Sequence, residues 1–174
     1  MRALRAELSL SVRADYGQHV STLILASSEY EQADTIAIYR ALDGEVDPKD
    51  IAMASIARGK RVCYPKVTLL EPLAFMTAEN WTKGSYGYEP VGDTVNISDI
   101  DLMLVPGIAF TSRGDRLGFG GGHYDRTLSV FSGVSFGLAY PFQICETMNT
   151  DPWDVRVDRV AVYPAFPTDQ RTRI

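Results

Sequence analysis

The alternation of apolar and polar positions divides the 174-residue chain into short segments of two kinds. Leu4, Leu8 and Val12 recur at four-residue steps and predict an amphipathic first helix, with Arg5 and Arg13 off its apolar stripe and Arg13 in solvent. A second helix is predicted over residues 18–26, with Val20, Leu23 and Ile24 inward and His19 at the surface. The β-prone run T-I-A-I-Y at 35–39 predicts the first strand. Asp47-Pro48-Lys49-Asp50 then reads as a helix start, with a capping carboxylate, a proline at the first helical position and an acid in the first turn. That helix stops at Gly59. Strands are predicted over 61–64, ended by Pro65, over 73–77, and over 102–105, closed by Pro106-Gly107. Residues 81–90, with Gly84, Tyr86, Gly87 and Tyr88, read as a loop. After a further loop carrying Arg113 and Arg116, Tyr124, Leu128 and Phe131 fall at helical spacing, and strands follow over 134–139 and 160–163. Strands alternating with helices predict an α/β fold: one domain over 1–174, three layers α/β/α, with a mostly parallel, Rossmann-like sheet. Such sheets bind ligands beyond the carboxyl ends of their strands. Glu45, Pro65, Pro106 and Tyr140 follow predicted strands and are expected on that edge.

Composition narrows the function. Hydrophobic residues make up 45% of the chain and charged residues 22%, as in an ordinary soluble protein. No apolar run approaches the ~20 residues of a membrane span, and the N-terminus lacks the pattern of a signal peptide, so a cytoplasmic protein with no membrane partner is expected. The net charge of −5 disfavours a nucleic-acid surface. Arg113, Arg116 and Arg126 nevertheless cluster around one stretch, against the overall sign. Cys63 and Cys145 are isolated; Cys63 reads as a core residue, not a zinc ligand.

That stretch is the glycine-rich one. Gly118, Gly120, Gly121 and Gly122 stand between the apolar run at 102–105 and the helix opened by His123. Strand, glycine loop and helix start suit an anion, because backbone N–H groups reach a phosphate without Cβ obstruction. The loop is not a P-loop, since no Lys-Ser or Lys-Thr follows, and it is not G-x-G-x-x-G, since His123 occupies the third position. On the glycines alone, a tight turn and a phosphate cradle remain open readings.

The wider string V-P-G-I-A-F-T-S-R-G-D-R-L-G-F-G-G-G-H-Y-D-R resembles the signature of the 5-formyltetrahydrofolate cyclo-ligase family, close to P-G-x-A-F-D-x-x-G-x-R-L-G-x-G-x-G-Y-Y-D. Other segments agree in order: R-A-L-R-A-E-L at the N-terminus, T-I-A-I-Y-R-A-L-D-G-E-V, R-G-K-R-V-C-Y-P-K-V, Y-G-Y-E-P and D-P-W-D-V-R-V-D. The resemblance spans nearly the whole chain. It implies an ATP- and Mg²⁺-dependent ligase that closes 5-formyltetrahydrofolate, with or without a polyglutamate tail, to 5,10-methenyltetrahydrofolate. The formyl oxygen takes the γ-phosphoryl group, N10 adds to the activated carbon, and ADP and phosphate leave. A monomer is expected.

By the same resemblance, Tyr124, Asp125 and Arg116 are the catalytic candidates. Nucleotide contacts fall to Arg2, Arg5, Arg116, Leu117, and the loop from Gly118 through Phe119, Gly120, Gly121 and Gly122 to His123 and Tyr124. Folate contacts fall to Arg40, Glu45 and the loop from Phe119 to Tyr124. Asp125 and Asp154 are the metal candidates, with Asp151 and Asp158 nearby. Three departures stand out: Met1 where the family often has lysine, Gly121 in place of the lysine of G-K-G, and His123 in place of the first tyrosine of Y-Y-D. Two other readings compete: a sugar-phosphate isomerase-like enzyme on a similar scaffold, and a non-catalytic folate- or nucleotide-binding protein.

Overall fold

The computed structural model describes residues 1–42, 44–68, 71–84 and 87–164. In chain order these form α1 (Arg2–Glu7), α2 (Leu10–Leu25), α3 (Ser28–Gln32), β1 (Thr35–Ala37), α4 (Lys49–Ala57), β2 (Arg61–Lys66), β3 (Ala74–Met76), β4 (Asn80–Gly84), β5 (Gly87–Val91), β6 (Thr94–Val95), β7 (Leu102–Val105), β8 (Ala109–Thr111), β9 (Arg116–Leu117), α5 (His123–Leu128), β10 (Val134–Leu138), β11 (Ile144–Cys145) and β12 (Arg159–Ala161). The main sheet has seven strands in the order β12-β10-β7-β1-β2-β3-β6. Neighbours from β12 to β2 pair in parallel, while β3 and β6 add antiparallel. Among the described residues no helix is long and apolar enough to cross a membrane.

The unbroken apolar run of β7 follows from burial on both faces. Leu102 and Leu104 point to the side covered by Tyr16, Val20 and Ile24 of α2 and Ile51 of α4. Met103 and Val105 point the other way, toward Phe110 and Leu128 of α5. Two cores thus flank one mostly parallel sheet, as the alternation of elements predicts. Cys63 lies within the second core.

Several boundaries differ from expectation. The first helix ends at Glu7, and a second, continuous one runs from Leu10 through the predicted start at residue 18. Ser9 makes the break: its backbone is extended and its Oγ accepts a hydrogen bond from Val12 N. Arg13, read as a solvated residue, is half-buried and donates to the Leu8 and Ala6 carbonyls at 3.0 and 3.2 Å, capping the end of α1. Leu23, expected inward, is exposed; Tyr16 takes core space instead. Pro65 does not end β2. It pairs opposite Phe75, and its missing donor faces the side where β1 has already stopped at Ala37, whose neighbour Ile38 bonds the Cys63 carbonyl. The predicted loop at 81–90 is the antiparallel hairpin β4–β5, held outside the main sheet; Tyr86 lies outside the described residues. The loop after Gly107 is a second hairpin, β8–β9, so Arg116 sits on a strand.

Candidate active site

The site begins where β7 stops. Pro106-Gly107 turns the chain into β8, and a Cβ at Gly107 would lie 2.5 Å from the Phe110 ring, so only glycine fits this turn. The Gly107 carbonyl collects two donors from distant elements, Nη1 of Arg5 at 3.3 Å and Nε2 of Gln143 at 3.0 Å. Arg5 is fully buried. Its Nη1 is 3.8 Å from Oε1 of Glu45, itself buried, while Oε2 of Glu45 accepts from Leu42 N. A short helix of few residues would not ordinarily bury an arginine; here it carries the charge under the carboxyl edge of the sheet. Nε and Nη2 of Arg5 have no partner although both are buried. Such atoms carry a desolvation cost that an anion would relieve.

The hairpin β8–β9 delivers Arg116 to the same edge. Nη2 of Arg116 donates to Oδ1 and Oδ2 of Asp125, and its guanidinium lies 5.6 Å from the Tyr124 ring centre. Its Nε is buried without a partner. The glycine loop runs between them. Gly120 and Gly122 have φ of 86° and 64°, the left-handed region that favours glycine. A Cβ at Gly118 would meet Nη1 of Arg116 at 2.5 Å, and one at Gly121 would meet the His123 ring at 2.8 Å. The bare backbone therefore lets the Arg116 guanidinium and the His123 imidazole close over the loop.

Nη2 of Arg126 donates to the Gly121 carbonyl and to Nδ1 of His123, both at 3.0 Å. An arginine only donates, so Nδ1 accepts and the ring is the neutral Nε2–H tautomer. Burial, then the Arg126 charge, holds the His123 pKa below the ordinary imidazole value. Tyr124 is half-buried; burial and the Glu45 carboxylate push its phenol well above the ordinary range, with Arg116 opposing. It is a neutral hydroxyl that faces both charges.

The remaining candidates are more dispersed. Arg2 is exposed and stacks 5.4 Å from the ring centre of exposed Phe119, beside exposed Leu117. Arg40 stacks on Trp81 at 5.0 Å and Tyr88 at 4.8 Å, pinning the β4–β5 hairpin to the end of β1. Asp154 is exposed, and its carboxylate accepts from Asp151 N in its own turn. The next residue completes the link to the site: Val155 N donates to Oδ1 of Asp125. The Asp158 carboxylate points elsewhere, to Ser135. The structure thus joins Arg116, Tyr124, Asp125, His123 and Arg126 directly, with Arg5 and Glu45 tied in through Gly107. Sequence reasoning passed over Gln143, Asp115 and the Val155 amide. Gln143 follows a strand end as Tyr140 does, but nothing in its spacing marks it.

The chain resembles known proteins along most of its length. A family model described as the 5-formyltetrahydrofolate cyclo-ligase family matches residues 1–164. The chain is 32% identical over 170 residues to the 5-formyltetrahydrofolate cyclo-ligase of Haemophilus influenzae, covering 89% of each. It is 29% identical over 175 residues to that of Escherichia coli, covering 92% of this chain and 94% of the other. Among solved structures, a 5,10-methenyltetrahydrofolate synthetase from Mycoplasma pneumoniae superposes with a TM-score of 0.77 at 28% identity, over 92% of both chains. One from Aquifex aeolicus gives 0.81 at 33% identity, over 92% of this chain and 84% of that one.

Proposed function

The chain belongs to the 5-formyltetrahydrofolate cyclo-ligase family, and from that premise we propose that it closes 5-formyltetrahydrofolate to 5,10-methenyltetrahydrofolate with ATP and Mg²⁺, releasing ADP and phosphate. Residues 1–174 act in this reading as one cyclo-ligase domain, and as a monomer. The observation that carries the site assignment is the Arg116–Asp125 pair beside a glycine loop, with buried guanidinium nitrogens of Arg116 and Arg5 left without partners.

The residues present fit both groups. Unpartnered guanidinium N–H groups and a glycine backbone that a Cβ would crowd suit a polyphosphate. Among the described residues no cluster of three His, Cys, Asp or Glu side chains occurs. Mg²⁺ takes one or two carboxylates and completes its shell from phosphate and water. Asp125 would hold it, with Asp154 one residue from the amide that orients Asp125.

Bound ATP supplies the phosphoryl group that makes the formyl oxygen a leaving group, and Mg²⁺ supplies charge neutralisation. The chain supplies position and charge. Arg116 presents a cation at the loop and Arg5 one under the sheet edge, and the loop amides hold the polyphosphate close. Tyr124 keeps its proton across the physiological range and offers a hydroxyl toward the reacting end. His123, neutral with its proton on Nε2, offers a second donor over Gly121. Glu45 accepts hydrogen bonds from folate N–H groups, and Arg40 with Trp81 and Tyr88 walls the folate side. No side-chain nucleophile is required, so positioning carries the rate.

The test mixes the protein with 5-formyltetrahydrofolate, Mg²⁺ and ATP and follows methenyl absorbance. Absorbance growth that requires ATP is the expected result. Folate binding without growth would leave a binding protein, and turnover of a sugar phosphate without ATP would leave an isomerase.

A further inference from the structure

Residues 146–158, between β11 and β12, form no helix or strand. A few contacts hold their second half in place. Val157 N donates to the Gly114 carbonyl at 3.0 Å, and Val155 N to Oδ1 of Asp125 at 3.3 Å. Between these two, Nε of Arg156 donates to Oδ1 of Asp115. Asp115 is 5% exposed and lies on the turn of the β8–β9 hairpin, where its Oδ2 accepts from the Thr111 hydroxyl at 2.7 Å. The hydrogen bonds from Thr111 and then Arg156 hold the Asp115 carboxyl below the usual carboxylate range.

These contacts close a ring. Asp115 is bonded in the chain to Arg116, Arg116 grips Asp125, Asp125 accepts from Val155, and Val155 is bonded in the chain to Arg156, which returns to Asp115. A concavity of about 210 Å³, lined by Asp115, Thr150, Asp154, Val155 and Arg156, lies against this ring. Arg116 and Asp125 have competing uses in the proposed function, on phosphate and on metal. Once they part, the Val155 amide is the hydrogen-bond donor left on the Asp125 carboxylate among the described residues, and the Asp115–Arg156 link fixes that amide.

We propose that Asp115 and Arg156 are positioning residues, whose ion pair fixes residues 151–157 so that the Val155 N–H orients the Asp125 carboxylate at the nucleotide end of the site. The proposal rests on the cyclo-ligase reading for its kinetic consequence and on the ring alone for its structural one. Neither side chain touches substrate in this account.

The test uses the full chain and the variants Arg156→Ala and Arg156→Lys. The Arg156 side chain is 61% exposed and Asp115 keeps its bond from the Thr111 hydroxyl, so the variant is expected to fold. In Arg156→Ala, kcat/KM for MgATP is expected to fall about tenfold, while KM for 5-formyltetrahydrofolate stays within about twofold. Hydrogen exchange at the Val155 amide, measured without nucleotide, is expected to quicken about tenfold, with β7 and β10 unchanged. Arg156→Lys restores part of both, since it keeps the charge but not the guanidinium geometry. Wild-type MgATP kinetics in Arg156→Ala would overturn the proposal, as would unchanged Val155 exchange or exchange that quickens through β7 as well. If the wild-type protein forms no methenyl product, the cyclo-ligase reading is lost. The exchange measurement then decides the ring by itself.

Discussion

A single nitrogen of Arg116, Nη2, donates to both carboxylate oxygens of Asp125, at 3.0 and 2.9 Å. The two side chains are 4% and 17% exposed, so the pair is largely withdrawn from water. Removing one member of such a pair leaves the other charged and desolvated. Asp125→Ala is therefore expected to lose turnover by at least about 10²-fold and to lose stability by about 2–3 kcal/mol. The stability loss sets this site apart from a solvent-exposed metal ligand. ATP or sulfate should recover much of the lost melting temperature in the variant, because an anion can take the carboxylate's place on Arg116. A variant with wild-type turnover would remove Asp125 from the mechanism.

Glu45 stands to Arg5 in a similar relation, under the sheet edge instead of at the loop. Arg5 is wholly buried with two nitrogens unpartnered, and Glu45 is the carboxylate beside it. Glu45→Gln is expected to destabilise by about 2–4 kcal/mol. Arg5→Leu should cost a similar amount, because it removes the unmet donors but leaves the buried Glu45 carboxylate without its cation. The two variants separate in function as well: Arg5→Leu raises KM for ATP, and Glu45→Gln raises KM for the folate. Denaturant titration and initial rates read both. Equal effects on the two KM values would mean that the pair is only structural.

The glycine loop discriminates between its own members. Gly120 has φ of 86° with open space around its missing Cβ, so Gly120→Ala costs backbone strain alone, about 1 kcal/mol. Gly121 lies outside the left-handed region, but an added Cβ would sit 2.8 Å from the His123 ring. Gly121→Ala should leave the melting temperature nearly unchanged and displace His123. It should raise KM for MgATP more than Gly120→Ala does. The reverse ranking would mean that loop conformation, not the imidazole over it, governs binding.

These contrasts show what the residue pattern could and could not carry. The apolar run of β7 was legible because burial on both faces leaves every position hydrophobic. The helix start was legible to within one residue because its signals are local: Oδ1 of Asp47 accepts from Lys49 N, although the cap falls on Pro48 and the helix begins at Lys49. Arg5 was placed at the nucleotide only by resemblance. A charged residue on an amphipathic stretch reads as solvated, and its partner Gly107 is 102 positions away. The residue pattern reads the β4–β5 hairpin as a loop because most of its residues are exposed, so no alternation marks its strands. The family form quoted above has aspartate where this chain has Thr111. The acid here is Asp115, to which the Thr111 hydroxyl donates. Spacing along one strand does not show that Thr111 and Asp115 meet; the hairpin turn that brings them together does.

Arg40 lies between two aromatic faces, Trp81 at 5.0 Å and Tyr88 at 4.8 Å, and Trp81 in turn meets Tyr64 edge-on at 5.0 Å. These contacts are partly exposed, so Arg40→Ala should cost only about 0.5–1 kcal/mol. Its larger effect is on the freedom of the hairpin. Limited proteolysis near residues 80–91 should quicken, and KM for 5-formyltetrahydrofolate should rise while KM for ATP holds. If both KM values hold, the hairpin is no wall of the folate site.

His123 provides a pH signature. Its pKa lies below the ordinary imidazole value because the ring is partly buried and faces the Arg126 charge. The unfolded chain therefore binds this proton at a higher pH than the folded chain does. Between the depressed folded value and the ordinary value of about 6.5, stability rises with pH. Above that window the neutral ring keeps its bond from Arg126; as pH falls through it, protonation removes the acceptor and sets two cations side by side. The melting temperature of the wild-type protein should thus fall on acidification from pH 7 toward 5.5 more steeply than that of His123→Phe, which has no such proton to bind. Parallel curves for the two proteins would mean that the imidazole is not held neutral by its surroundings, and would take with them its role as an Nε2–H donor over Gly121.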